Sequence, residues 1–253
     1  VFPVLFRLGP VTIYAYGAML LLAFAAGELL AQREARRRGL NPELILDLAI
    51  WVLVSSLVFA RLTYILFHLA DYARYPRELL FAWSGLSFHG GLFGGVLAGW
   101  LFARRRKVSF LALADTVTPS LALGYAIARI GCFLNGCCYG GPTDLPWGVI
   151  FPSVLERVHP VQLYDSFANL LLFLALWRLR GRLAISGQLF FLYLGLYSII
   201  RFFMEILRRG YTSRTLFDSI TAAQLASIAL LALSAWMMWR LWRRAASAPR
   251  ADG

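Results

Sequence analysis

The sequence predicts an all-α fold: a polytopic integral membrane protein of about seven transmembrane helices, N-terminus outside and C-terminus cytoplasmic. Three observations carry that expectation. Of 253 residues, 60% are hydrophobic and only 15% are charged, whereas a soluble domain carries about a quarter charged residues. The apolar residues come in runs of about twenty, the length a helix needs to cross roughly 30 Å of hydrocarbon. Basic clusters fall at every second boundary between those runs, as the positive-inside rule requires of cytoplasmic loops.

Between the charge clusters, the spans fall near 11–31, 44–68, 86–103, 111–131, 162–178, 186–206 and 219–240. Arg33, Arg36, Arg37 and Arg38 follow the first, and Arg104, Arg105, Arg106 and Lys107 the third. Arg178, Arg180 and Arg182 follow the fifth, and Arg240, Arg243, Arg244 and Arg250 the seventh. The opposite boundaries hold fewer basic residues: Arg7, Arg74, Arg77, Arg157, Arg208, Arg209 and Arg214. Topology and anionic headgroups account for the formal net charge of +12, so no nucleic-acid partner is expected. The chain reads as a single transmembrane domain over 1–243, with a short outer segment at about 137–160 and a disordered tail over 244–253. Val1 to Pro10 has no basic n-region and no short cleavable apolar core, which predicts no removable signal peptide.

Three arginines fall inside spans: Arg61, Arg129 and Arg201. A guanidinium in hydrocarbon costs at least roughly 2.5–3.5 kcal/mol on insertion scales, so by default it marks a site. The expected topology brings all three to one level near the outer leaflet. Snorkelling to the outer headgroups, or local pairing with an acid such as Glu205, is the plain alternative. Three arginines at one level favour a shared anion site. Tyr14, Tyr16, His89 and Tyr197 reach the same level, and Glu205 lies one turn beyond Arg201 on the same helical face. Guanidinium forks bind phosphate bidentately, and a phosphate at outer-leaflet depth points to a phospholipid.

Gly91, Gly95 and Gly99 repeat every four residues, as do Gly90 and Gly94, a spacing that lets helices approach closely. The stretch from Gly131 to Pro142 reads as a helix ending in a glycine-rich loop whose amides can cradle an anion. It holds all three cysteines, Cys132, Cys137 and Cys138. Inert buried thiols, or a disulfide from Cys132 to one of the adjacent pair at an oxidising outer face, are the leading readings. His68, His89 and His159 are further ligand candidates, but the spacing matches no zinc pattern, so no metal and no cofactor are expected. His159, Pro160 and Gln162 open the fifth helix, and Asp115 reads as a helix cap rather than a catalytic acid.

Five segments carry a resemblance to a known family. They are Ala60-Arg61-Leu62-Thr63-Tyr64, Ser87-Phe88-His89-Gly90-Gly91-Leu92, Ala128-Arg129-Ile130-Gly131-Cys132-Phe133-Leu134-Asn135-Gly136, His159-Pro160-Val161-Gln162-Leu163-Tyr164 and Tyr197-Ser198-Ile199-Ile200-Arg201-Phe202-Phe203-Met204-Glu205. In matching order from about Gly9 to Leu230, the chain resembles the bacterial prolipoprotein diacylglyceryl transferases. The resemblance implies an inner-membrane enzyme whose active site opens toward the outer leaflet. It implies transfer of the diacylglyceryl unit of phosphatidylglycerol to the lipobox cysteine of a prolipoprotein signal peptide, forming a thioether and releasing glycerol phosphate. By carry-over, Arg129 and Arg201 hold the phosphate and stabilise charge on the departing glycerol phosphate. His89 is the candidate acceptor of the thiol proton. Tyr16, Asn135, Gly140, Tyr197 and Glu205, with Arg61, are the expected substrate-binding residues. The attacking sulfur belongs to the substrate, so the enzyme needs no nucleophile of its own.

The chain departs from the family pattern at particular positions. Cys132 stands where the family usually has Asn, Cys137 where it has Glu, and Asp165 where Glu follows Gln-Leu-Tyr. The outer segment from about Gly140 to Pro160 is short. A paralogue with another acceptor, and a non-catalytic phospholipid binder or transporter, are the alternatives. The lack of an internal repeat and the off-centre polar level speak against a transporter.

Overall fold

Local chemistry at each end decides where the helices start and stop. The computed structural model describes residues 3–9, 11–69, 85–183, 185–208, 215–217 and 220–247. An antiparallel hairpin comes first: β1 (Val4–Leu8) pairs with β2 (Val11–Tyr14) around Gly9 at φ +59°. Seven helices follow among the described residues. They are α1 (Ala15–Arg37), α2 (Glu43–Phe67), α3 (Phe88–Arg106), α4 (Phe110–Asn135), α5 (Val161–Leu179), α6 (Gln188–Ile206) and α7 (Ala222–Ser247). A second short hairpin, β3 (Thr215–Phe217) with β4 (Ile220–Thr221), precedes α7.

The helices coincide with the expected segments, and the differences lie at their ends. The first was expected from residue 11, but β-branched Val11, Thr12 and Ile13 pair as a strand instead. Its far end runs on to Arg37, where buried Glu34 accepts from Arg37 Nε at 2.8 Å and Arg38 Nε at 2.9 Å. Ser87 caps α3, its hydroxyl accepting from the Gly90 N–H at 3.4 Å. Gly136, at φ +75°, stops α4 in the left-handed conformation. A reciprocal capping box opens α7: Gln224 N–H donates to Thr221 Oγ1 (3.2 Å) and Thr221 N–H to Gln224 Oε1 (3.1 Å). That helix continues to Ser247. Residues 248–253 of the expected tail lie outside the described residues, as do Arg74, Arg77, Arg209, Arg214 and Arg250.

The chain divides into two compact units, one of Gln32–Leu113 and one of Val1–Ala31 with Ala114–Gly253. In the first, α2 and α3 pack antiparallel. Ser87 N–H donates to Ala60 O at 3.0 Å at one end, and Arg106 pairs with Asp47 at 2.6 Å at the other. Glycine makes this approach possible. A Cβ on Gly94 would lie 2.6 Å from Phe59 Cβ and 2.8 Å from Ser55 O, and one on Gly90 2.5 Å from Phe59 O. Gly91 flanks the contact, with Ala60 Cβ at an ordinary 3.5 Å.

In the second unit, Ala122, Leu172, Leu176, Leu189 and Tyr193 form a core between α4, α5 and α6. Ser166 of α5 donates to Ala126 O of α4 at 2.8 Å, and Ser234 of α7 donates to Phe191 O of α6. Asp115 is a cap, but of a helix other than its own. Gly187 has no side chain to cap α6, and Asp115 accepts the N–H groups of Gly187 and Phe190, both at 2.8 Å.

Among the described residues five helices, α1, α2, α4, α6 and α7, are long and apolar enough to cross a membrane. They turn large side chains outward: Leu21 is 69% exposed and Phe203 58%. Such surfaces are those of a membrane protein. The other two are less apolar for structural reasons. α3 carries the glycines of the α2 contact, and α5 buries Gln162, Asp165, Ser166 and Asn169.

Gly94→Ala is expected to cost about 1–3 kcal/mol, because its methyl meets backbone that has to shift. Gly91→Ala should stay within about 0.5 kcal/mol, or gain, from lower unfolded-state entropy. Thermal unfolding midpoints in one detergent compare the pair.

Candidate functional site

Two helices in register set the level of the site. Asp115, near the start of α4, caps the start of α6, and further along Tyr125 of α4 meets Tyr197 of α6 with ring centroids 5.4 Å apart. The two helices therefore run in the same direction. Arg129 and Arg201 each lie four residues past their tyrosine, about 6 Å further along the axis, at a common level.

Arg129 is 8% exposed and Asp165 of α5 only 1%. Arg129 Nε lies 2.8 Å from Asp165 Oδ2, a charge contact whose N–H is not lined up with the oxygen. Tyr125 OH donates to the same oxygen at 3.0 Å. Asn169 Nδ2 donates to Asp165 Oδ1 at 3.0 Å and to its carbonyl at 2.8 Å. Arg201 pairs with Glu205 one turn on. Glu205 is buried and also lies 3.8 Å from Arg208.

Beyond these helix ends, backbone bonds fix the loop. Gly140 N–H donates to His159 O at 2.9 Å and Gly141 N–H to Leu207 O at 2.8 Å. A Cβ on Gly140 would lie 2.7 Å from both Leu207 O and Val161 Cγ2, so no side chain fits there. Gln162, fully buried, donates Nε2 to Cys137 O at 2.6 Å. Asn135 is exposed at the last position of α4. Tyr16 opens α1 with its ring edge 3.4 Å from where a Gly131 Cβ would stand. Tyr16, Arg129, Asn135, Gly140, Tyr197, Arg201 and Glu205 thus gather at one end of this unit.

Arg61 and His89 belong to the other unit, both at the same end of the α2–α3 pair. Arg61 Nη1 donates to Gly85 O at 3.0 Å, its guanidinium 5.8 Å from the Tyr64 ring. His89 is exposed and meets Phe88 edge-on at 5.8 Å.

The cysteines are unbridged, and their three sulfurs lie within 4.8 Å of one another. The Cys138 thiol is pulled down to about 5. A hydrogen bond from Cys132 leads, burial opposes it, and Cys137 with the Arg208 and Arg129 charges adds to the pull. Burial pushes the Cys137 thiol the other way, up.

In the sequence Asp165 stands out only as a departure from a motif, and Tyr125 and Asn169 do not stand out at all. The available signal was a polar stripe, Asp165, Ser166 and Asn169, on one face of an otherwise apolar helix.

Fold and site together define a polytopic helical membrane protein with a buried arginine–carboxylate cluster at one end of its helices. Residues 3–240 match the prolipoprotein diacylglyceryl transferase family, and the chain belongs to that family of transferases. It is 38% identical to the phosphatidylglycerol–prolipoprotein diacylglyceryl transferase of Trichormus variabilis, over 89% of this chain and 84% of the relative. With the protein of the same name from Synechococcus elongatus it shares 41% identity, over 89% and 82%. With that of Clostridioides difficile it shares 37%, over 88% and 89%.

Asp165→Asn keeps the shape and removes the charge that compensates Arg129. It should destabilise by about 3–5 kcal/mol, and Asp165→Leu combined with Arg129→Leu by markedly less, because no buried charge is then left unpaired. Unfolding midpoints of the single and double variants in one detergent test this.

Proposed function

We propose that this chain transfers the diacylglyceryl group of phosphatidylglycerol to the thiol of a lipobox cysteine in a prolipoprotein. Both substrates stand in the names of its relatives. The observation that carries the reading is the common register of α4 and α6, with Arg129 and Arg201 one turn past a touching tyrosine pair. Two guanidinium groups at one level are suited to the oxygens of a single phosphodiester.

In the proposed reaction the substrate sulfur attacks the glyceryl carbon. The bond from that carbon to the phosphate oxygen breaks, and glycerol phosphate leaves with the bonding electrons. Arg129 and Arg201 stabilise the charge that develops on the leaving phosphate. Asp165 engages the Nε edge of Arg129 and Glu205 engages Nη1 of Arg201, so each carboxylate aims a guanidinium. His89, at a family motif position, accepts the thiol proton as a general base. Tyr16, Arg61, Asn135, Gly140, Tyr197 and Glu205 bind or shape the site for the lipid.

In this reading all seven helices span a bacterial inner membrane, N-terminus outside and C-terminus cytoplasmic, with the site opening toward the outer leaflet. The polar content of α3 and α5 supports their inclusion, because it serves packing and buried bonds rather than lipid contact. Arginines over tryptophans at the same helix ends support the orientation: Arg104 on Trp100 (4.7 Å), Arg180 on Trp177 (3.1 Å) and Arg243 on Trp239 (4.1 Å). Such pairs suit a cytoplasmic membrane interface.

Purified protein with phosphatidylglycerol vesicles and a lipobox peptide should release glycerol phosphate only when the peptide carries its thiol. Arg129→Ala and Arg201→Ala should each lower the rate by about 10²–10³. An undiminished rate in His89→Ala removes the proton-acceptor role alone. Lipid bound without release sinks the transfer reading and leaves a phospholipid binder.

A further inference from the structure

Cys132, Cys137 and Cys138 have no part in the reaction above. Their sulfurs lie within 4.8 Å of one another, Cys137 Sγ and Cys138 Sγ 3.4 Å apart, with no bridge among them. We propose that they form a three-thiolate site for one thiophilic d10 cation, of which Zn2+ is the common member. This proposal does not depend on the transferase reading.

Spacing is the first support. Thiolates about 2.3 Å from one Zn2+ stand roughly 3.8–4.0 Å from each other in tetrahedral or trigonal arrays. The three sulfurs lie within 4.8 Å of one another, with Cys137 Sγ and Cys138 Sγ 3.4 Å apart, so shifts of less than about 1 Å bring them to that spacing. Sulfur donors also select such ions over Mg2+ and Ca2+, which take oxygen.

Backbone restraint is the second support. Gly136 at φ +75° and Cys138 at φ +68° fold the chain back on the last turn of α4, where Cys137 N–H donates to Cys132 O at 3.2 Å. Cysteine rarely adopts a left-handed φ, and a residue held there is one whose surroundings over-determine its conformation. Those surroundings are the buried Gln162 amide on Cys137 O and the backbone bonds of Gly140 and Gly141. The ligand set is therefore arranged before any ion arrives.

Binding balances as one Zn2+ replacing three thiol protons, which pass to solvent, to give a tris-thiolate complex of net charge −1. A fourth position is left for water. The ion would tie the end of α4, one turn past Arg129, to the loop that carries Gly140. A disulfide would use two of the sulfurs and leave the third idle.

The test uses tag-free full-length protein in detergent, reduced, stripped of metal and titrated anaerobically with Cd2+ alone. Sulfur-to-cadmium ultraviolet charge transfer should saturate at one ion per chain. Cys132→Ser, Cys137→Ser and Cys138→Ser should each weaken binding by at least about tenfold, and the triple variant should abolish it. Far-ultraviolet circular dichroism and gel filtration check that the variants fold. If they do not, the unaltered protein decides: equimolar Zn2+ should shield three thiols from a thiol reagent until a chelator is added. Equal absorption in a folded triple variant overturns the proposal. So do thiols that react fully in the presence of Zn2+, or peptide mapping that finds Cys132 bridged to Cys137 or Cys138 in protein extracted from membranes.

Discussion

A carboxylate buried among apolar helices has to be compensated, and the compensation of Asp165 decides how α4, α5 and α6 meet. Its side chain draws Arg129 Nε and the Tyr125 hydroxyl from α4 and the Asn169 amide from its own helix. Tyr125 in turn packs edge-on against Tyr197 of α6. A slip of one residue in α4 would rotate these donors by about 100° and strand the charge. Dispersion between Leu and Ala faces tolerates such slips far better than a paired charge does. The ion pair therefore acts as a register lock first, and only through that as a means of presenting Arg129.

A second carboxylate fixes the other end. Asp115 accepts two backbone N–H groups at the start of α6, groups that water cannot reach in an apolar bundle. With Asp115 at one level and Asp165 at another, α6 and α5 are each anchored to α4, and the core cluster fills the space between. Arg201 reaches the level of Arg129 because both rest on elements held at two points. The Gln32–Leu113 unit solves its packing differently. There α2 and α3 approach through Gly90 and Gly94, with close backbone contact in place of buried charge.

The five long apolar helices α1, α2, α4, α6 and α7 were legible in the sequence because runs of about twenty apolar residues have one stable solution in lipid. Arg129, Arg201 and Glu205 were legible too, the arginines as charges inside spans and the glutamate by its i, i+4 spacing. The pairing of Asp165 with Arg129 was not, since no periodicity connects residues on different helices. Asp115 was legible as a cap, but its target lies 72 residues away, beyond any local capping rule. The start of α1 was misplaced because Val11, Thr12 and Ile13 are as apolar as the helix they precede, and only pairing across Gly9 makes them a strand. The three cysteines were legible as neighbours, but the closeness of all three sulfurs was not. That closeness depends on left-handed turns at Gly136 and Cys138, which a ligand-spacing pattern does not encode.

The departures from the family pattern can be understood from how the loop after α4 is held. Its position rests on main-chain groups: Cys137 O on Gln162, Gly140 N–H on His159 O, and Gly141 N–H on Leu207 O. A loop anchored through its backbone asks little of its own side chains, provided that Gly140 stays free of a Cβ. Position 137, where the resemblance leads one to expect Glu, is therefore open to cysteine without loss of the loop's course. Asp165 is held more tightly, because its length sets how near the Arg129 guanidinium comes to α5. A longer carboxylate there would shift Arg129 relative to Tyr125 and Tyr197. The constraint on this chain falls on the charged pair and the glycine, while the loop between them is held through its main chain.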